Sequence, residues 1–195
     1  MVKVKICGIS ILSDAVTISA LGADMLGFLT DPISPRFVKP EFLKIVKNQV
    51  PSPIVSVNVK SNLEEMLVRS ANADILQVHR VLNQEELEMI TSFQKKVILF
   101  VPISEKYLPY LKKAIDFTEM VLLDLERKED RPNMELISKV LRDYPGLGVG
   151  GGITLSNVSS FVALEPGWID VSRGVESYPG KKNLELVKKL LEVAK

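Results

Sequence analysis

Short apolar runs alternate with longer amphipathic stretches along the whole chain. Residues 2–7 read as a strand, with Val4 and Ile6 apolar and Lys3 and Lys5 polar between them. Residues 13–20 follow as a helix, with Ser13 or Asp14 as its N-cap. Residues 25–29 read as strand, and residues 40–47 as a helix opened by Pro40, a residue suited to a first turn. Residues 54–59 are rich in Val and Ile and read as strand. Residues 62–69 form a helix capped by Asn62, with Leu63, Met66 and Leu67 on one face. The rhythm then continues with strands over 75–78, 97–101, 120–125, 147–149 and 169–171. Helices are predicted over 83–93, 104–115, 133–143, 154–163 and 183–194. Pro109 falls inside one of them and is expected to kink or split it.

Strands that alternate with helices imply a parallel sheet. Eight such units in 195 residues imply closure into a barrel. A flavodoxin-like open sheet uses about five strands and would leave the rest unplaced. The expectation is an α/β protein, a single-domain (β/α)8 TIM barrel over residues 1–195, with short loops and no linker.

Composition narrows the partners. The net charge is +1, so no excess of either sign points to nucleic acid or to a membrane surface. The basic pairs Lys181-Lys182 and Lys188-Lys189 sit in helical patterns beside Glu185 and Glu192 and read as a solvated helix face. Cys7 is the one cysteine, which excludes an intrachain disulfide and fits a reducing, cytoplasmic setting. No stretch has the continuous apolar run of a secretory signal or a spanning helix. One histidine and one cysteine do not supply a usual metal cluster.

In barrels of this kind the active site lies at the C-terminal ends of the strands. That rule selects Cys7 after the first strand, Arg36 after the second, Gln77 and His79 at the fourth and Asp124 at the sixth. It also selects Gly150, Gly151 and Gly152 after the seventh strand, and Ser172, Arg173 and Gly174 after the eighth. Loops seven and eight often hold a phosphate between backbone N–H groups, and glycine permits that close approach. Taken singly, each candidate has a plain alternative. A lone cysteine is often a packed thiol, a lone histidine a packed ring, an aspartate a helix cap and a glycine run a tight turn.

Several motifs together resemble one family. Lys5-Ile6-Cys7-Gly8-Ile9-Ser10 is similar to its Lys-Ile-Cys-Gly-Ile-Thr opening. Gly22-Ala23-Asp24, Gly27-Phe28 and Ser34-Pro35-Arg36-Phe37-Val38 resemble its second unit, and Leu76-Gln77-Val78-His79 its Gln-Leu-His segment. Gly151-Gly152-Ile153 with Asn157-Val158, and Asp170-Val171-Ser172-Arg173-Gly174-Val175-Glu176, resemble its last two loops. The family is phosphoribosylanthranilate isomerase, of tryptophan biosynthesis. The resemblance implies an Amadori rearrangement without metal or organic cofactor, acting on a small phosphorylated substrate. It implies Cys7 as general base, Asp124 as general acid and Arg36 as the partner of the anthranilate carboxylate. Gln77 and His79 would bind substrate, and Gly151, Gly152, Ser172, Arg173 and Gly174 its phosphate. A monomer or a homodimer is expected.

The chain departs from the family pattern in four places. Residues 125–132 lack the glycines of the usual loop after the aspartate. Arg80 replaces a glycine, Asn58 an aromatic and Arg173 a serine. Two rival readings are another phosphate-binding barrel isomerase and a non-catalytic barrel that senses a phosphorylated metabolite. The first usually carries aspartates at strands one and six, where this chain has Cys7 and Asp124. The second requires neither residue.

Overall fold

The computed structural model describes residues 1–127 and 129–195. Eight parallel strands close into a barrel in sequence order. They are β1 (Lys3–Cys7), β2 (Met25–Leu29), β3 (Ile54–Asn58), β4 (Ile75–Val78), β5 (Lys96–Pro102), β6 (Met120–Asp124), β7 (Gly148–Val149) and β8 (Trp168–Val171). The helices between and after them are α1 (Leu12–Ala20), α2 (Pro40–Lys47), α3 (Leu63–Arg69), α4 (Gln84–Ile90), α5 (Leu108–Phe117), α6 (Met134–Asp143), α7 (Val158–Val162) and α8 (Leu184–Ala194). The (β/α)8 barrel is therefore the fold.

Strand alternation divides the apolar residues into two cores. Outward residues such as Val4, Ile6, Leu26, Phe28, Leu76, Leu99 and Val121 are buried under the helix layer. Inward residues Cys7, Met25, Val55, Val57, Ile75, Ile98, Leu122 and Trp168 fill the barrel axis. The same alternation turns Lys5 inward two residues before Cys7, and Asp170 inward two residues after Trp168. Lys5 and Asp170 are register partners across β1 and β8. β7 is the shortest strand of the barrel, and a Cβ on its Gly148 would lie 2.1 Å from the Trp168 ring.

Local chemistry explains most element ends. Asn62 caps α3 by accepting the Glu65 N–H, and Asn83 forms a reciprocal capping box with Glu86 on α4. Pro109 splits its segment as expected: a 3₁₀ turn over Glu105–Tyr107 precedes α5, and the proline occupies the first turn of the helix. Asn58, in place of an aromatic, faces outward in a closed polar network. Its amide bonds Ser56 at 3.2 Å, and Thr30 bonds both Ser56 and Asn58.

Three expectations are corrected. α1 starts at Leu12 behind Ile11, and neither Ser13 nor Asp14 caps it. Asp14 is buried instead and accepts the Lys182 N–H and the Lys181 ammonium. α7 is a single short turn-and-a-half rather than a helix over 154–163. Lys181 and Lys182 are not on a solvated helix face. They form β10 (Lys181–Lys182), paired antiparallel with β9 (Glu176–Tyr178) in a hairpin between β8 and α8. The Lys182 side chain is fully buried. Lys188 and Lys189 are exposed on α8 as read.

Candidate active site

A cavity of about 630 Å³ opens at the C-terminal mouth of the barrel. Of the residues singled out from sequence, Cys7, Arg36, Gln77, His79, Asp124, Gly151, Gly152, Ser172, Arg173 and Gly174 line it, and Gly150 does not. They are drawn from six loops and strand ends spread over the whole chain.

Cys7 ends β1 and is only 7 % exposed. Gly27 on β2 faces it, and a Cβ there would come 2.8 Å from the sulfur, so the thiol has room only because residue 27 is glycine. Burial pushes the Cys7 thiol above its ordinary value. The ammonium groups of Lys5 and Lys182 pull it down, the former also by hydrogen bonding, and Asp170 pushes it up. Nearby positive charge is thus present, but burial outweighs it.

Asp124 ends β6. One of its oxygens accepts the Leu125 N–H at 2.6 Å. It caps no helix; Asn133 caps α6. A Cβ at Gly150 would lie 2.8 Å from the other oxygen, so the first of the three loop glycines gives the carboxyl its space. Burial, followed by the charge of Asp170, pushes the Asp124 carboxyl up to about 7. The Leu125 N–H, Lys5 and Arg173 oppose that rise.

Arg36 is held by a two-point ion pair with Glu176, Nε to Oε1 at 2.8 Å and Nη2 to Oε2 at 2.6 Å. Glu176 is itself held by the buried Lys182 ammonium at 2.8 Å and by the Gly180 N–H. Burial raises Glu176, and the bonds from Arg36 and Lys182 more than reverse this, leaving it below the usual carboxylate range. Two cations around one anion leave one net positive charge on this wall. Asp31 steadies the loop that carries Arg36 by accepting the N–H groups of Val59, Lys60 and Ser61.

On the opposite wall the Gln77 Nε2 amide donates to His79 Nδ1 at 3.1 Å, and the His79 ring packs 4.4 Å from that of Phe100. The buried Gln77 Oε1 has no hydrogen-bond partner among the described residues. Above β7 and β8, Gly151 and Gly152 have φ of 95° and 70°, the left-handed region that favours glycine. Gly174 lies so close to loop seven that a Cβ would sit 2.0 Å from the Ile153 carbonyl oxygen. The two loops are joined there by a bridge between Thr154 and Gly174.

The family model described as N-(5'phosphoribosyl)anthranilate (PRA) isomerase matches residues 4–193. The chain belongs to this family. The chain is also 47 % identical to N-(5'-phosphoribosyl)anthranilate isomerase of Saccharolobus solfataricus, over all of this chain and 97 % of that one. It is 44 % identical to the Sulfolobus acidocaldarius isomerase, over 98 % and 96 %. Among solved structures it is similar to a phosphoribosylanthranilate isomerase in complex with reduced 1-(o-carboxyphenylamino)-1-deoxyribulose 5-phosphate. That match has a TM-score of 0.85 at 30 % identity, covering 100 % of this chain and 98 % of the other. The Thermotoga maritima phosphoribosylanthranilate isomerase matches at a TM-score of 0.87 and 30 % identity, with the same coverage.

Within this phosphoribosylanthranilate isomerase family member, the sequence reading missed four charged groups at the site. Lys5, Asp170 and Glu176 stood in the matching motifs without a role, and Lys182 was read as solvated. For Lys5 and Asp170 the signal was available. Each lies two residues from an inward position, and one carries the opposite charge to the other. Gly27 and Gly150 also serve the site, by leaving space that only a neighbouring structure reveals. Lys128, in the loop after Asp124 that lacks the family's glycines, lies outside the described residues.

Proposed function

We propose that the chain rearranges N-(5'-phosphoribosyl)anthranilate to 1-(2-carboxyphenylamino)-1-deoxyribulose 5-phosphate in tryptophan biosynthesis, with Cys7 as base and Asp124 as acid. The observation that carries this reading is a thiol and a carboxyl lining one cavity, with the carboxyl raised to about 7. A carboxyl that stays protonated near neutral pH is suited to proton donation.

The steps follow from those two groups. Asp124 gives its proton to the ribose ring oxygen as the C1–O bond breaks, and the nitrogen lone pair forms a C1=N iminium. The Cys7 thiolate removes the C2 proton, and the C2–H electrons form a C1=C2 enolamine. The enolamine takes a proton at C1 and loses its C2 hydroxyl proton, which leaves the aminoketose. The C1 proton comes from Cys7 and the C2 hydroxyl proton passes to Asp124, so the enzyme is restored and the reaction is an isomerisation.

Arg36 is assigned the anthranilate carboxylate. Its Nη1 edge is not used by Glu176, and the net positive charge of the Arg36–Glu176–Lys182 group favours an anion there. Gly151, Gly152, Ser172, Arg173 and Gly174 are assigned the phosphate, and Gln77 and His79 the remaining substrate contacts. Among the described residues no helix is long and apolar enough to cross a membrane. With its single thiol, the enzyme is assigned to the cytoplasm. The test is turnover followed by loss of the anthranilate fluorescence of the substrate. No turnover by folded protein at any pH between about 6 and 9 overturns the assignment.

A further inference from the structure

Behind Cys7 and Asp124 lies an ion pair that the acid–base scheme does not use. Lys5 Nζ is fully buried and 2.8 Å from Asp170 Oδ2. Asp170 is 8 % exposed and lines the cavity, and its second oxygen has no hydrogen-bond partner among the described residues. A buried ion pair costs desolvation that its own attraction seldom repays, so its retention calls for another reason. Here the reason lies in where its two ends point. Lys5 stands two residues before Cys7 on the same face of β1. Asp170 is on β8 and lines the same cavity as Asp124.

We propose that the Lys5–Asp170 pair is a positioning dipole for both reacting groups, with its positive end set against the Cys7 sulfur and its negative end toward the Asp124 carboxyl. This rests on the assignment of Cys7 as base and Asp124 as acid. The effects on the two groups run in opposite directions. At Cys7 the pull of Lys5 exceeds the push of Asp170. At Asp124 the push of Asp170 exceeds the pull of Lys5. Lys5 remains charged: burial works against its ammonium, but the Asp170 and Cys7 side chains outweigh burial. Other charges facing the two groups are Lys182 and Arg36 near Cys7, and Arg173 near Asp124.

The consequence concerns one shared proton. In the free enzyme Asp124 titrates near 7 and Cys7 above its ordinary 9.0. Between those values the pair holds one proton, mostly on sulfur. The productive form, thiolate with carboxylic acid, is the minor partner. Its share falls about tenfold for each pH unit that separates the two groups. A dipole that lowers Cys7 and raises Asp124 narrows that separation from both ends.

The experiment uses Lys5→Met, Asp170→Asn and the double variant, which strands no charge. Cys7 is the chain's one cysteine, so the pH dependence of its alkylation by iodoacetamide reads the thiol directly, without turnover. Lys5→Met should move the alkylation midpoint up by about one pH unit, Asp170→Asn should move it down, and the double variant up. In the double variant the profile of kcat/KM against pH should broaden at both limbs. Its plateau should fall about tenfold for each unit of broadening. A merely structural pair would lower activity without coupling the fall to the width. An unmoved alkylation midpoint in any variant that keeps its circular dichroism spectrum overturns the proposal. Midpoints that move as expected in an enzyme without turnover would leave the dipole standing and remove the reaction assignment instead.

Discussion

The inside of the barrel has two unlike halves. From β2 to β5 the inward side chains are Met25, Leu29, Val55, Val57, Ile75, Ile98 and Phe100, with Gln77 and the small Gly27 among them. From β6 through β8 and back to β1, inward positions carry Asp124, Asp170, Lys5 and Cys7 alongside the apolar Leu122 and Trp168, with Gly150 beside them. Both halves share one topology and one alternation of faces. They differ in what the closing of the barrel must do. The first half fills space and provides an apolar wall beside Arg36, suited to an aromatic ring. The second half holds ionisable groups out of water, where their mutual charges act strongly.

The sharpest way to break this contrast is to empty the charged half of its proposed base. Cys7→Ala should lower kcat by about 10⁴-fold, the upper range for a positioned acid–base group, since no other side chain replaces it. Stability and inorganic phosphate affinity should remain close to wild type. Near-normal kcat in this variant would make Cys7 one more packing residue and the two halves alike.

Asp124→Asn should cost less, about 10²- to 10³-fold in kcat with little change in KM, because water can supply part of the ring-opening proton. It also has an effect on stability. The native carboxyl titrates near 7 against an ordinary 3.8, so the folded state binds the extra proton between those values. Stability contributed by the protonated group is therefore present below about pH 4 and is lost as pH rises through about 7. Asparagine removes that loss while still accepting the Leu125 N–H. The variant should be more stable than wild type by roughly 1–3 kcal/mol at about pH 8, after screening by cavity water, and equal to it near pH 4. Urea unfolding at the two pH values checks this. An equal stability difference at both would place the carboxyl in a wetter site than its neighbours imply.

The two halves also differ in how legible they were. The barrel was readable because eight apolar strand patterns repeat between amphipathic helices, and Asn62 and Pro109 acted where local chemistry put them. The positions of Cys7, Arg36 and Asp124 at one mouth follow from strand order alone. The charges did not yield so easily. Lys5 between Val4 and Ile6 has the pattern of an edge facing water. In a closed barrel the polar alternate positions face the axis instead. Lys182 follows Lys181 in what looks like a helix start, and only the long-range partners Asp14 and Glu176 make it a buried strand residue. Gly27 and Gly150 matter through atoms on other strands, Cys7 and Asp124, which no local pattern records.

Arg36 stands at the junction of the two halves, so its loss should affect one end of the ligand. Arg36→Met keeps the bulk and removes the guanidinium from both Glu176 and the anthranilate carboxylate. KM should rise about 10- to 50-fold, as expected for a charge-assisted two-point contact. Inhibition by a ribulose phosphate that lacks the aromatic ring should change little. Equal losses for both ligands would instead assign Arg36 to the phosphate or to the hold on the β9–β10 hairpin.

The smallest expected effect is at Arg173, where the chain has arginine in place of the family serine. Its side chain is exposed at the rim of the cavity, between the two loops assigned to phosphate, and its charge reaches Asp124. The carboxylate of Glu176, three residues on, is held by Arg36 and Lys182. A guanidinium at this place has two anions within its influence, the substrate phosphate and the ionised form of Asp124. Both effects are those of a rim charge, worth about 1 kcal/mol or less and weakened by salt. Arg173→Ser should therefore raise KM and the inhibition constant of inorganic phosphate about three- to fivefold at low ionic strength, and hardly at all in about 0.5 M salt. Because Arg173 opposes the rise of Asp124, its removal should also move the acidic limb of the kcat/KM profile slightly upward. If phosphate inhibition is unchanged at low salt while that limb moves, Arg173 belongs with the groups that tune the acid and not with the phosphate loops.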